Sequence, residues 1–262
     1  MIESDGSEMY GTLFTAQGKG DHSTAVILHG FPGHERNLDL AHTLRRGGIN
    51  SLIFHYRGSW GSRGTFSFSG MLADTARAVD DLRNEGKAYG VNPDDILIIG
   101  HSMGGWAGAI TAAADERIGS LVLLSPFNMG MVSDWALEDD LNREMVRRMF
   151  KELSRPMNTI GHDRLLEEVM EHRRDWNLLR HAEELSGKRI LIVSARNDTL
   201  SIPELHTLPL YEELVRNGCS DVEHVILDSD HSFSDARIEL QRTVWRWIER
   251  GLRRNERRTV RA

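Results

Sequence analysis

Cysteine is almost absent: Cys219 is the only one in 262 residues. That excludes an internal disulfide framework and a Cys-rich metal site. No apolar run approaches the roughly 18–20 residues that cross a bilayer. The opening "MIESDGSEMY" is acidic and has neither the basic nor the apolar region of a secretory signal. The twelve histidines show no HExxH or other paired-ligand spacing. The Gly-rich "RGSWGSRG" has no GK[ST] and so is no phosphate loop; it reads as a tight loop. There is no internal repeat and no low-complexity tract. These absences lead us to expect a cytoplasmic chain with no membrane span, no metal and no organic cofactor.

What is present is ordinary for one α/β domain with an insertion: 40% apolar and 27% charged residues. The net charge of −7 is unevenly spread. The tail "RGLRRNERRTVRA", residues 250–262, carries +5, so the rest sums to about −12. An acidic body argues against nucleic acid as a partner. The tail itself reads as a solvated, frayed terminus.

Strands and helices alternate along the chain. Residues 8–16 read as a strand or half a hairpin. "TAVILHG", "INSLIFHY", "DILIIG" and "IGSLVLLSP" read as buried strands, with helices over 36–47, 70–89 and 103–115 between them. "KRILIVSA" and "VEHVILD" resume the pattern, followed by helices over 203–217 and 235–250. Such alternation implies a mostly parallel sheet flanked by helices. Residues 127–187 break the rhythm and read as charged amphipathic helices. We therefore expect a core of 1–126 and 188–262 and a helical cap of 127–187, over the carboxyl ends of the strands where ligands bind.

One stretch, "DILIIGHSMGGWAG", carries chemistry. Gly100-His101-Ser102-Met103-Gly104 fits G-x-S-x-G, with a strand before it and a small-residue helix after it. A strand that reverses into a helix this quickly lifts the serine hydroxyl clear of the sheet and sets it at a helix N-terminus. A serine needs a base. His231, in "LDSDHSFSD" after the last strand, is the candidate. The base needs a carboxylate to fix its tautomer. Asp198 follows a strand in "ILIVSARNDTLSIP", whereas "LLSPFN" offers no acid before Asp134. Two N–H donors are needed for a tetrahedral oxyanion. Met103 supplies one, and Phe31, in "LHGFPGHERN", is placed for the other. His29 reads as a brace of that loop, Trp106 as core and Cys219 as an inert thiol.

"HGFPG", "HYRGSWGSRGTFSFSG", "GHSMGG", "ARNDTLSIP" and "DHSF" stand in the order and context of the α/β-hydrolase superfamily, which the chain resembles over nearly all of its length except the cap. It looks most like the small esterases that include cinnamoyl and feruloyl esterases, relatives of the prolyl-oligopeptidase catalytic domain. The resemblance implies Ser102, Asp198 and His231 as a triad, with Phe31 and Met103 N–H as oxyanion hole. It implies a serine hydrolase that cleaves carboxylic esters through an acyl-enzyme, with a small-molecule ester as substrate. The N-terminal strands are shorter than in many relatives, and the cap matches nothing assignable.

Trp60, Phe127, Met129, Met131 and Trp135 are the candidate substrate contacts, because aromatics and methionines suit an apolar acyl or aryl group. Three rival readings use the same residues. A serine aminopeptidase needs acids near the pocket, and Asp134, Glu138, Asp139 and Asp140 are candidates. A thioesterase is indistinguishable at this level. A non-catalytic ligand receptor would leave an intact Ser/Asp/His set without a use.

Overall fold

The computed structural model describes the backbone of residues 1–259 and the side chains through 254. The chain opens with a hairpin, β1 (Ile2–Ser4) and β2 (Ser7–Met9). Its turn residues Asp5 and Gly6 have φ of 48° and 70°, the two positive values that an Asp-Gly pair accepts in a type I′ turn. The strand or half-hairpin expected over 8–16 is thus both: its start is the second strand of this hairpin, and β3 (Gly11–Phe14) follows.

β4 (His22–Leu28), β5 (Asn50–Phe54), β6 (Val91–His101), β7 (Ser120–Leu124), β8 (Arg189–Ala195) and β9 (Val222–Leu227) follow. With β3 they form one sheet in the order β3-β5-β4-β6-β7-β8-β9. β3 is antiparallel to β5, and every other neighbouring pair is parallel. The central strands are apolar on both faces because both are covered. Val26, Leu28, Ile96 and Ile98 pack against α2 (Phe68–Glu85) and α3 (Met103–Ala114), and α9 (Leu208–Arg216) covers the same layer at the β9 edge. Ala25, Ile27, Leu97 and Ile99 pack against α1 (Leu38–Arg46) and α10 (Arg237–Thr259). The chain steps from β4 out to β5 and then back across to β6, so the sheet reverses its winding between β4 and β6. That is the place where open α/β sheets bind ligands.

Between β7 and β8 lie α4 (Met129–Glu138), α5 (Asp140–Leu153), α6 (His162–Glu171) and the short α7 (Ala182–Leu185). A further short helix, α8 (Pro203–His206), precedes α9. The insertion is tied down at named points. Asn128 Nδ2 donates to Asn177 Oδ1 at 3.0 Å, and Leu178 N–H donates to Asn128 Oδ1 at 3.1 Å, closing its two ends on each other. The buried Glu168 of α6 accepts the first N–H groups of α2, from Phe68 at 2.8 Å and Ser69 at 3.1 Å. These are donors that a helix start leaves without partners, and a carboxylate there also suits the helix dipole. The Trp176 carbonyl accepts from Trp106 Nε1 and from Gly130 N–H.

The C-terminal helix departs from expectation by running past residue 250. Arg250 pairs with Glu223 and Arg254 with Asp221, both at 2.6 Å. Gly251 lies inside α10, where a side chain would collide with the Arg189 guanidinium. That guanidinium stacks 3.9 Å over Trp247. So the first turn of the basic tail is helical and paired rather than frayed. The side chains of 255–262, and everything from residue 260, lie outside the described residues.

Candidate active site

Ser102 stands between β6 and α3 with φ 58° and ψ −124°, a conformation that costs a non-glycine residue energy and persists only when its surroundings enforce it. They do. Ser102 N–H donates to the Leu124 carbonyl at 2.9 Å, and the Ser102 carbonyl accepts Phe127 N–H at 3.1 Å, so both sides of the peptide are held by the end of β7. The flanking glycines answer to close approach: a Cβ on Gly100 would collide with the Gly104 backbone, and one on Gly104 with the Leu28 and His29 carbonyls. Larger residues would push α3 off the sheet.

Asp198 follows β8 and is buried. Its Oδ2 accepts His231 Nδ1–H at 2.7 Å, and its Oδ1 accepts Leu200 and Ser201 N–H at 2.9 and 2.7 Å. Burial pushes this carboxyl up, but the His231 hydrogen bond, the imidazolium charge and the two N–H donors outweigh it and hold it below the usual carboxylate range. The Ser201 hydroxyl donates to the Pro126 carbonyl at 2.6 Å, tying this loop to the end of β7. With Nδ1 donating to Asp198, neutral His231 keeps its lone pair on Nε2.

His101, between the motif's first glycine and the serine, was not singled out from the sequence. Its Nε2–H donates to the His231 carbonyl at 2.8 Å, and the two rings lie tilted at 40° with centroids 4.9 Å apart. Burial, with the His231 and Arg237 charges adding to it, lowers His101 to about 3, so the ring is neutral. It positions the His231 loop. Asp230 turns away from His231 and instead accepts Ser232 and Ser234 N–H.

Ser102, His231, Phe31 and Met103 line one cavity of about 170 Å³. Among the described residues no hydrogen bond joins Ser102 Oγ to His231; such links commonly tighten only when substrate is bound. Nor, among the described residues, does either the Phe31 or the Met103 N–H have a hydrogen-bond partner. Phe31 is held by its ring, stacked on Phe66 at 5.1 Å and edge-on to Phe68 and to Phe150 of α5. His29 is buried and donates from Nδ1 to the Gly30 carbonyl at 2.7 Å, as a brace would. Burial lowers it to about 3.

The five candidate substrate contacts separate. Phe127, Met131 and Trp135 line a second cavity of about 580 Å³, which meets the first at Phe127. Trp60 and Met129 line neither cavity. Trp60 Nε1 donates to the Pro32 carbonyl at 2.6 Å and its ring packs on His34, so it supports the Phe31 loop instead. Met129 is fully buried in the core, because the first turn of α4 faces inward. Met149 and Leu200, which line both cavities, escaped sequence reading. Met149 recurs at the helical spacing Met145–Val146–Met149–Phe150, but periodicity does not distinguish a pocket wall from ordinary core.

The chain belongs to the alpha/beta hydrolase family, whose sequence model matches residues 25–261. It is 33% identical over 106 residues to the uncharacterized protein YfhR of Salmonella typhi, a match that takes in 38% of this chain and 35% of that protein. The match thus spans about a third of that relative's length. In fold it is similar to Est1E from Butyrivibrio proteoclasticus, with a TM-score of 0.75 at 17% identity over 96% of this chain and 97% of that one. Est1E has also been solved with ferulic acid bound, and the TM-score to that form is 0.72. The Pyrococcus furiosus esterase Pf2001 gives 0.65 at 20% identity, covering 95% of this chain and 90% of that one. At these identities the likeness concerns the fold. Among the described residues no helix is long and apolar enough to cross a membrane.

Proposed function

We propose that the protein is a serine hydrolase of carboxylic esters. Ser102 is the nucleophile, His231 the general base and acid, and Asp198 the carboxylate that orients the imidazole. The Phe31 and Met103 N–H groups hold the oxyanion. The observation that carries this reading is the Asp198–His231 hydrogen bond of 2.7 Å beside a serine in a positive-φ turn on the same cavity. In the first step Ser102 Oγ attacks the ester carbonyl while His231 takes its proton. His231 then protonates the departing alcohol. Water repeats the sequence on the acyl-enzyme and returns free acid and Ser102. Each step balances with these groups alone. Residues 127–187 act as a cap over the core of 1–126 and 188–262, and the cap selects the acyl group.

A second reading, an aminopeptidase, draws on Asp134 and Glu138, which line the larger cavity. Both are already engaged: Asp134 lies 4.0 Å from Arg173, and Glu138 accepts from Asn142 Nδ2 at 3.3 Å. That leaves the ester reading better supported. The test is labelling by a fluorophosphonate together with hydrolysis of p-nitrophenyl esters and an aminoacyl anilide, on wild type and Ser102→Ala. We expect label and ester activity in wild type and loss of both in the variant, by roughly 10³-fold or more in rate. Undiminished turnover by Ser102→Ala would remove Ser102 from the mechanism. Anilide hydrolysis exceeding ester hydrolysis would favour the aminopeptidase.

A further inference from the structure

The larger cavity lies outside the chemistry just described. It holds about 580 Å³, within the usual range for a small-molecule site, against about 170 Å³ for the catalytic cavity. Phe127, Met149 and Leu200 line both, so the two cavities adjoin along these side chains. Met131 and Val132 of α4 and Met145 and Val146 of α5 form one wall, and Ile202 and Leu205 form the other. His231 and Ser232 line only the catalytic cavity, together with His34 and Glu35.

Acyl transfer fixes how an ester must lie. The leaving oxygen has to reach His231, which gives it a proton. The carbonyl oxygen has to reach the Phe31 and Met103 amides. The acyl chain takes the remaining direction. Phe127, whose N–H holds the Ser102 carbonyl, stands at the boundary of the two cavities and marks the apolar side of the serine. We infer that the cavity between α4, α5 and the loop after β8 is the acyl pocket, and that the preferred substrates are esters of medium-chain apolar acids with small alcohols. This rests on the serine-ester reading and adds the sense in which the substrate lies. The alcohol side is confined to the smaller cavity, whose wall there is polar. Methionines on both helices let the wall adapt to chain length.

The experiment compares two isomers, ethyl octanoate and octyl acetate, which differ only in which side of the ester carries the long chain. Each methylene taken out of water is worth roughly three- to fourfold in binding. We expect kcat/KM for ethyl octanoate to exceed that for octyl acetate by at least tenfold. Met145→Glu and Leu205→Asp place a charge at exposed positions of the pocket, where the fold tolerates it, and each should cut that ratio at least tenfold. Arg148→Glu, exposed on α5 and outside both cavities, is the control and should leave the ratio unchanged. Equal rates, a preference for octyl acetate, or a ratio indifferent to both pocket variants would overturn the assignment. So would failure to hydrolyse either isomer while Ser102 still takes the fluorophosphonate. Ethyl octanoate hydrolysis that survives Ser102→Ala would instead overturn the serine-ester reading itself.

Discussion

Asp198 is buried with both carboxylate oxygens hydrogen-bonded, whereas Trp135, on α4, is 41% exposed and lines a cavity. The contrast extends to their surroundings. Around Asp198, four strand ends are laced by directional bonds: Leu124 to Ser102, Ser102 to Phe127, Pro126 to Ser201, and His101 to His231. Buried polar groups demand such partners, and the demand fixes positions to fractions of an ångström. Around Trp135, the Asn142 side chain of α5 bonds to α4, at the Trp135 carbonyl and Glu138, and the cavity wall itself is mostly apolar surface, which is non-directional and tolerates repacking. The corner suits chemistry that needs one geometry. The insertion suits recognition that must accept a range of shapes.

The sharpest way to break that contrast is to remove direction from the corner without removing volume. Asp198→Asn keeps the shape but offers the Nδ1 side of His231 an amide in place of a carboxylate acceptor. It favours the wrong tautomer and withdraws the charge that stabilises the imidazolium. We expect kcat to fall by about 10³–10⁴-fold with KM little changed, read in a steady-state ester assay. A loss under tenfold would mean that another group orients the imidazole. The corresponding change on the insertion, Trp135→Phe, should alter acyl preference and leave kcat for the best substrate within about threefold. A large kcat loss there would erase the distinction between the regions.

Acid should expose the contrast next. His29 and His101 are lowered to about 3, and His55 and His206 to about 4, in each case chiefly by burial. All four lie on or beside the corner's loops. Unfolded histidine binds its proton near pH 6.5. Between that pH and the lowered folded values the unfolded chain binds more protons, so stability rises with pH there. The contribution is fully present above about pH 6.5 and is lost as pH falls towards 4 and then 3. Asp198, lowered in the fold, adds loss in the same direction below the ordinary carboxylate range. The thermal midpoint should therefore drop steadily from pH 7 to pH 4.5, and His55→Gln should flatten the slope. A midpoint constant over that range would show that these rings do not titrate on unfolding.

Legibility divides along the same line. Ser102, Asp198 and His231 stand out in the sequence because each follows a strand at a position where the fold exposes side chains, and because few residues so placed have the chemistry of the nucleophile, orienting acid and base proposed for them. The parallel sheet is readable from the alternation of strands and helices, and the α/β-hydrolase fold from the resemblance of the ordered motifs around Ser102, Asp198 and His231 to that family. Trp60 was misjudged because a tryptophan in a loop beside a site can equally support that loop from behind, as its bond to Pro32 does. Met129 was misjudged because amphipathic spacing says which residues share a face but not whether that face meets core or cavity. Half a hairpin is legible over 8–16, but its turn and first strand escape that reading although "SDGS" holds the signal, an Asp-Gly pair that accepts two positive φ values. The helix expected over 235–250 runs further because Gly251 sits inside it, where its smallness serves the Arg189 side chain from a distant strand, a contact that no local window contains.

The smallest expected effect concerns Glu168, where the insertion borrows the corner's method. Its carboxylate is buried and accepts two N–H groups at the start of α2, fastening α6 to the core. Glu168→Ala leaves those donors without partners in a buried place and should cost about 1–3 kcal/mol, seen in a denaturant midpoint. Glu168→Gln keeps one acceptor and should cost less, by about half. If the contrast holds, the damage stays in the insertion's anchorage. Stability falls and α6 amides exchange faster with solvent, while the pH dependence of kcat is unmoved because none of the bonds around Asp198 and His231 passes through Glu168. A shift in that pH profile would show that the anchorage of α6 and the hydrogen bonds of the corner form one coupled system, and the two regions would then have to be treated as a single mechanical unit.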